Sequence, residues 1–454
     1  MAVLSINPAT EEVMARFEYI SDKSAIDETR RSRAASAAWR ASGVFERCAL
    51  LQKAARVLRR NSRRYGEMIS LEMGKPIRQS VSEVEKCATA CEYYAESAPR
   101  FLADEIVRTE AVKSFVAFQP LGTILGIMPW NFPFWQVFRF ASATLAAGNT
   151  VVVKHSSNVP QCGMMVEEVF REAGFPESVY KNLMIGSDAV RLLVEKDLVD
   201  GISLTGSTEA GARIGELGGR HLKKTVLELG GNDPFIIMKD ADAAKAAETA
   251  VSARFQNAGQ SCIAAKRFIV HRDSAEAFKA AFVAGAQDLV MGDPLDERTG
   301  LGPLARADLR ENIERQLDLA LKEKGKILCG GRRRAGKGFF FEPTVIEAGK
   351  GSATVAKEET FGPLASIIIG EDDEDLLRIA DSSGYGLSSS IWTADAEKGE
   401  AFARRIDAGM VSVNGMARSD PRLPFGGVKK SGIGRELGRH GILEFVNMKS
   451  VVIN

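Results

Sequence analysis

Gly122-Thr123-Ile124-Leu125-Gly126-Ile127-Met128, a helical stretch over 133–147 that stops at Gly148, and Thr150-Val151-Val152-Val153-Lys154 make one strand–helix–strand unit. Two short aliphatic runs around a segment of helical length are what parallel strands joined by a crossover helix require. The rhythm continues downstream. A helix over 161–173 ends at Gly174-Phe175-Pro176, and a strand is expected at Leu183-Met184-Ile185. A helix near Val190, a strand at Gly201-Ile202-Ser203-Leu204-Thr205, a helix after Gly206 and a strand over 225–229 complete a dinucleotide-type lobe.

After Gly230-Gly231 the pattern restarts. Strands are expected over 234–238, 268–271, near Ile327, and over 344–346 and 364–369, with helices over 241–256, 275–289 and 374–381. This is a second α/β lobe. Upstream, 27–101 reads as helical, with Leu50, Leu51, Ala54, Val57 and Leu58 at helical spacing and Gly74-Lys75-Pro76 as a break. The alternation over 112–119 reads as a strand. So does the terminal run Lys449-Ser450-Val451-Val452-Ile453, an edge that pairs either with the chain's own sheet or with another subunit.

At 454 residues the chain is too long for one ordinary core. With 45% apolar residues, 26% charged residues and a net charge of +1, nothing favours nucleic acid or an anionic membrane as partner. Its first residues, Met1 to Pro8, lack the basic and apolar regions of a signal peptide. The six cysteines are scattered, against a secreted disulfide scaffold, so a cytoplasmic location is the expectation. No metal site is expected: Cys87 and Cys91 share a helix face without a second pair, and His155, His221, His271 and His440 stand apart.

Four stretches carry candidate chemistry. In Gly259-Gln260-Ser261-Cys262 small neighbours leave one sulfur reachable, and backbone N–H groups can face an anion formed beside it. Leu227-Glu228-Leu229-Gly230-Gly231 puts a carboxylate at an apolar strand end, where burial raises its pKa toward that of a general base. Asn131, between Pro129 and Pro133, is either an oxyanion donor or the start of a helix-initiating turn. Thr205-Gly206-Ser207-Thr208 opens a helix whose free N–H groups suit a phosphate, though Ser207 can equally be a simple cap.

In combination these segments resemble the aldehyde dehydrogenase superfamily. Trp130-Asn131-Phe132-Pro133, Lys154, Gly206-Ser207-Thr208-Glu209, Glu228-Leu229-Gly230-Gly231, Gly259-Gln260-Ser261-Cys262, Glu359-Thr360-Phe361-Gly362-Pro363 and Pro424-Phe425-Gly426-Gly427 occur in that superfamily's order. The resemblance implies two Rossmann-like α/β lobes plus a small β oligomerisation arm. Cofactor binding falls to 1–101 and 121–230, catalysis to 231–430, and assembly into a homodimer or homotetramer to 102–120 and 440–454. It also implies Cys262 as nucleophile, Asn131 as oxyanion donor and Glu228 as base. Trp130, Lys154, Ser157, Gly206, Ser207, Leu229, Glu359 and Phe361 would line an NAD or NADP site.

Within the superfamily, Asn131 to Arg139 and Ala264-Ala265-Lys266-Arg267-Phe268 resemble the short bacterial succinate-semialdehyde dehydrogenases. Arg139 then meets the distal carboxylate of the aldehyde, or else forms a salt bridge, and Ser419 matches a family serine at that end. Gln256 stands where many semialdehyde enzymes have a second arginine. Ser157 replaces the glutamate of NAD-preferring relatives, which removes repulsion against a 2′-phosphate, and His155 lies near that position or packs. The alternative activity is oxidation of other small or aromatic aldehydes.

Overall fold

The computed structural model describes residues 2–349 and 351–454. A hairpin of β1 (Ala2–Ile6) and β2 (Val13–Glu18) leads into α1 (Asp22–Ala41), α2 (Val44–Arg60), α3 (Ser62–Met73) and α4 (Ile77–Phe101). The hairpin lies outside the expected elements. Helix α1 begins at Asp22 because Ser21 accepts from the Ser24 N–H and caps it. Leu51, Leu58, Tyr65, Ile69, Cys87 and Tyr94 are buried in one apolar cluster with Phe134 and Phe138. The helical layer is thus welded to the loop and helix that follow the first parallel strand.

The first lobe contains β5 (Thr123–Ile127), α5 (Trp135–Ala146), β6 (Thr150–Lys154), α6 (Pro160–Glu172), β7 (Tyr180–Asn182), α7 (Ser187–Glu195), β8 (Gly201–Thr205), α8 (Thr208–Arg220) and β9 (Lys224–Glu228). These strands are parallel and ordered β9-β8-β5-β6-β7. The chain runs outward from β5 to β7, then returns to β8 on the other side. A crevice therefore opens beyond the carboxyl ends of β5 and β8, where α/β sheets take ligands.

One expected strand is displaced. The partner of Val151–Val153 is Tyr180–Asn182, not Leu183-Met184-Ile185. Leu183 and Ile185 are buried against Ala189, Val190 and Leu193 as the chain leaves the sheet, so their apolarity reflects packing.

The second lobe is a seven-stranded sheet. Its strands are β10 (Pro234–Ile237), β11 (Arg267–His271), β12 (Lys326–Cys329), β13 (Thr344–Glu347), β14 (Leu364–Gly370), β16 (Ser388–Trp392) and β17 (Met410–Val413), in the order β12-β13-β14-β11-β10-β16-β17. Between β10 and β11 run α9 (Ala243–Phe255) and the nucleophile turn. Strands β16 and β17 lie outside the elements expected from the sequence. Burial on both faces takes Ser388, Ser389 and Ser390 out of water, and Ser388 donates its hydroxyl to Asp233 while Ser389 Oγ is left without a partner. A short ladder joins β15 (Tyr385–Gly386) to β18 (Val428–Lys429), and β19 (Gly432–Ile433) returns antiparallel to β9. The later chain is thereby stitched onto the first lobe, beside Glu228.

The terminal strand β20 (Val446–Ile453) pairs antiparallel with β4 (Lys113–Pro120) over eight residues, and β3 (Glu105–Ile106) pairs with the far side of β4. Of the two uses open to the terminal edge, pairing within its own chain is realised. Ile106, Val112, Met448 and Val452 remain exposed on this arm. Among the described residues no helix is long and apolar enough to cross a membrane.

Candidate active site

The carboxyl ends of the first sheet deliver four groups to one crevice: Asn131 after β5, Lys154 closing β6, Gly206 after β8 and Glu228 closing β9. The second lobe supplies Cys262 from the turn after α9. That turn is unusual, since Asn257 (φ 53°) and Ala258 (φ 52°) are left-handed without being glycine. Bonds on every side hold it. The Asn257 N–H donates to Gln79 Oε1 at 2.8 Å, and its side-chain amide donates to the carbonyl of Asn131 at 2.8 Å. Asn131 Nδ2 in turn donates to the carbonyl of Gln260 at 3.0 Å, so donor and nucleophile loop are fixed to each other. One Nδ2 hydrogen stays uncommitted, and the Cys262 N–H has no acceptor among the described residues. Two free donors beside one sulfur fit an oxyanion.

The Cys262 thiol is half-buried, and burial pushes its pKa up to about 11, while Arg139 and Lys266 oppose that rise. The resting residue is thus a protonated thiol rather than a standing thiolate. Lys266 Nζ donates to the carbonyls of Ser261 and Cys262 and lies 3.8 Å from Glu359. Glu359 accepts from the Gly231 N–H at 3.0 Å, and a Cβ at Gly230 would strike its carboxylate at 2.3 Å. The two glycines after Glu228 therefore let the strand end lie against the Glu359 loop. Phe361 meets Trp130 edge to face, with ring centroids 5.7 Å apart.

Glu228 is buried with both carboxylate oxygens unpartnered. Burial and the nearby Glu436 hold its pKa well above the usual carboxylate range, with Arg139 opposing. A Cβ at Gly426 would lie 2.6 Å from Glu228 Oε1, so this loop must carry glycine to leave the carboxyl room. Arg139 is 1% exposed and forms an ion pair with Glu436. It also donates to Thr205 Oγ1 at 3.2 Å, and its guanidinium carbon lies 4.2 Å over the Phe425 ring. The salt bridge expected as its alternative use is present, and the same side chain lines a cavity of about 830 Å³. Cys262, Lys86, Trp135, Ser419 and Phe425 share that cavity, and exposed Gln256 sits at its rim.

A separate cleft of about 730 Å³ is lined by Lys154, Leu204, Ser207, Ala210 and Ile214. Burial lowers the Lys154 pKa, and no carboxylate among the described residues pairs with it. Ser207 does cap α8, accepting from the Ala210 N–H at 3.2 Å, yet the first N–H groups of the helix still open on the cleft. An unpaired cation and a helix N-terminus fit a phosphate-bearing dinucleotide. Ser157 is exposed in the turn after Lys154. His155 points elsewhere: its Nδ1 accepts from the Ser156 N–H and its Nε2 donates to the Pro133 carbonyl, both at 2.8 Å. Burial takes its pKa down to about 4, so it is a packed, neutral strut.

Sequence reasoning missed three contributors. Arg254, fully buried, donates to the carbonyls of Gly259 and Thr360 (3.1 Å each), Ala265 (2.9 Å) and Gly362, clamping the nucleophile turn to the Glu359 loop. Glu436 partners Arg139 from 297 residues away. Lys86, on α4, carried no signal beyond a helical charge.

The aldehyde dehydrogenase family profile matches residues 2–451. A probable NADP(+) succinate-semialdehyde dehydrogenase of Synechocystis is 44% identical over 453 residues, covering both chains entirely. The NAD(P)+ succinate semialdehyde dehydrogenase Sad of Escherichia coli is 43% identical over 99% of this chain and 97% of its own. The crystal structure of succinic semialdehyde dehydrogenase from Streptococcus pyogenes with NADP+ superimposes with a TM-score of 0.97 at 36% identity, over 99% of each chain. With a thiol, an oxyanion donor and a buried carboxyl brought together between two Rossmann-like lobes, and with full-length relatives of this kind, the chain belongs to the aldehyde dehydrogenase family.

Proposed function

We propose that this enzyme oxidises succinate semialdehyde to succinate with NADP or NAD. The observation that carries the reading is the cavity holding Cys262 together with Arg139, Lys86 and Ser419, which offers a reacting sulfur with cationic and hydroxyl groups in one enclosure. The Cys262 sulfur adds to the aldehyde carbon as the thiol releases its proton to solvent, and the carbonyl electron pair moves to oxygen. Asn131 Nδ2 and the Cys262 N–H receive that oxyanion. A bound nicotinamide dinucleotide supplies the hydride acceptor. Loss of hydride from the carbon leaves a thioester on Cys262. Glu228, uncommitted to any partner, takes a proton from water, whose oxygen attacks the thioester. The C–S bond breaks, and succinate leaves.

Lys154 and Ser157 would hold the adenosine ribose, and Gly206 with Ser207 the pyrophosphate. Leu229, Trp130, Glu359 and Phe361 would enclose the nicotinamide end. We propose the sequence-derived division into cofactor, catalytic and arm segments, with two or four chains joined through the arm in the cytoplasm.

Three measurements test this reading. Over a panel of aldehydes, kcat/KM for succinate semialdehyde exceeds that for propanal and benzaldehyde by at least about 30-fold, as a charge-assisted anchor implies. Equal values would favour a broader aldehyde dehydrogenase. Asn131→Ala lowers kcat by about 100-fold with little change in the dinucleotide Kd, the usual loss for one oxyanion donor; an unaltered kcat removes it from the mechanism. Ser157→Glu moves the NADP/NAD ratio of kcat/KM about 10-fold or more toward NAD by setting a carboxylate against the 2′-phosphate. A ratio that stays put would place that phosphate elsewhere.

A further inference from the structure

Lys86 is a cation in the substrate cavity without an anion. It sits on α4 in the row Gln79, Ser82, Lys86, Thr89, whose spacing puts one helix face along the cavity. Its Nζ donates to Ser419 Oγ, a neutral partner, and lies 4.2 Å from the Trp135 ring centroid. Among the described residues no carboxylate comes within ion-pair distance of it. The carboxylates around it are otherwise engaged, Glu85 of the same cavity wall by Arg59 at 2.6 Å. Glu83 binds Lys75 and accepts the N–H groups of Phe134 and Trp135, at 2.9 Å each. Asp420 is held by the Arg422 guanidinium at 2.6 Å and 2.8 Å.

Arg139 lines the same cavity, but its charge is met by Glu436. Gln256 is uncharged. Arg418 also lines the cavity, from an exposed position, so the enclosed positive charge without a carboxylate partner is that of Lys86, and Ser419 beside it adds a hydroxyl. Burial, with Arg139 second, takes the Lys86 pKa down to about 8. A cation so destabilised gains more than an exposed one from an arriving carboxylate.

Resting on succinate semialdehyde as the substrate, we infer that Lys86 and Ser419 form the anchor for its distal carboxylate. Nζ donates to one carboxylate oxygen and Ser419 Oγ to the carboxylate as well, while the Trp135 ring flanks the ammonium. The anchor serves in place of an arginine at position 256. Lys86 is thus a specificity residue on a helix of the cofactor lobe, acting on a substrate whose chemistry takes place at Cys262.

The test compares succinate semialdehyde with butanal, which has the same carbon count and no carboxylate, in wild type, Lys86→Met, Lys86→Gln and Lys86→Arg. The wild-type ratio of kcat/KM falls about 30-fold in the Met and Gln variants, mainly through KM for succinate semialdehyde. Lys86→Arg keeps most of the ratio, which a packing role would not explain. NADP-induced thermal stabilisation verifies that each variant is folded, and the near-isosteric Gln variant carries the test should the Met variant fail to fold. A folded Gln or Met variant with the wild-type ratio overturns the assignment while leaving the substrate reading intact. A wild-type enzyme with no preference for succinate semialdehyde over butanal overturns both.

Discussion

A Cys262→Ser enzyme is expected to bind NADP as tightly as the wild type and to oxidise succinate semialdehyde at least about 10⁴-fold more slowly. The hydroxyl is a far weaker acid than the thiol, even one raised to about 11, so Arg139 and Lys266 cannot bring it to an anion at neutral pH. The dinucleotide cleft lies against β6, β8 and α8, and no group of the 262 turn lines it. Isothermal titration with NADP alongside a turnover assay separates the two effects. Residual oxidation within 10-fold of wild type would mean that another atom takes up the aldehyde.

Glu228→Gln should have the next largest effect, with two readouts of opposite sign. The proton acceptor for water is lost, so steady turnover falls about 10³-fold. Formation of the thioester does not use this carboxyl, and a burst of one reduced dinucleotide per subunit should survive. Mass spectrometry of the quenched enzyme should find the acyl group on Cys262. Disappearance of the burst would reassign Glu228 to the thiol proton. Stability moves the other way. A carboxyl held above its unfolded value near 4.3 binds more protons in the folded state, so stability falls as pH rises from that value toward the folded pKa. The amide carries no such loss, so the variant should melt higher than wild type at pH 8, with the gap closing toward pH 4. In the wild type the same raised pKa places the acid limb of kcat above the usual carboxylate range.

The outline of both lobes was legible because parallel strands are apolar on both faces and their crossover helices are long. Reading failed where composition and environment part company. Ser388-Ser389-Ser390 lies deep in a sheet, where Ser388 finds a partner in Asp233, far off in sequence. Leu183 and Ile185 are as apolar as a strand yet pack beyond the sheet's edge. The reacting trio could be found because each member sits at a strand end or a turn with telling neighbours. The groups that set its electrostatics could not. Glu436 meets Arg139 only after the chain has folded back along β19, and Lys86 looks like any solvated lysine until α5 and the loop around Ser419 close over it.

The guanidinium of Arg254 gathers carbonyls from both the nucleophile turn and the Glu359 loop, and its burial leaves no water to substitute for it. Anyone grafting either loop from a relative, to retune substrate or coenzyme choice, would be transplanting half of a single knot. Such chimeras should express as folded protein only when both loops and the arginine travel together.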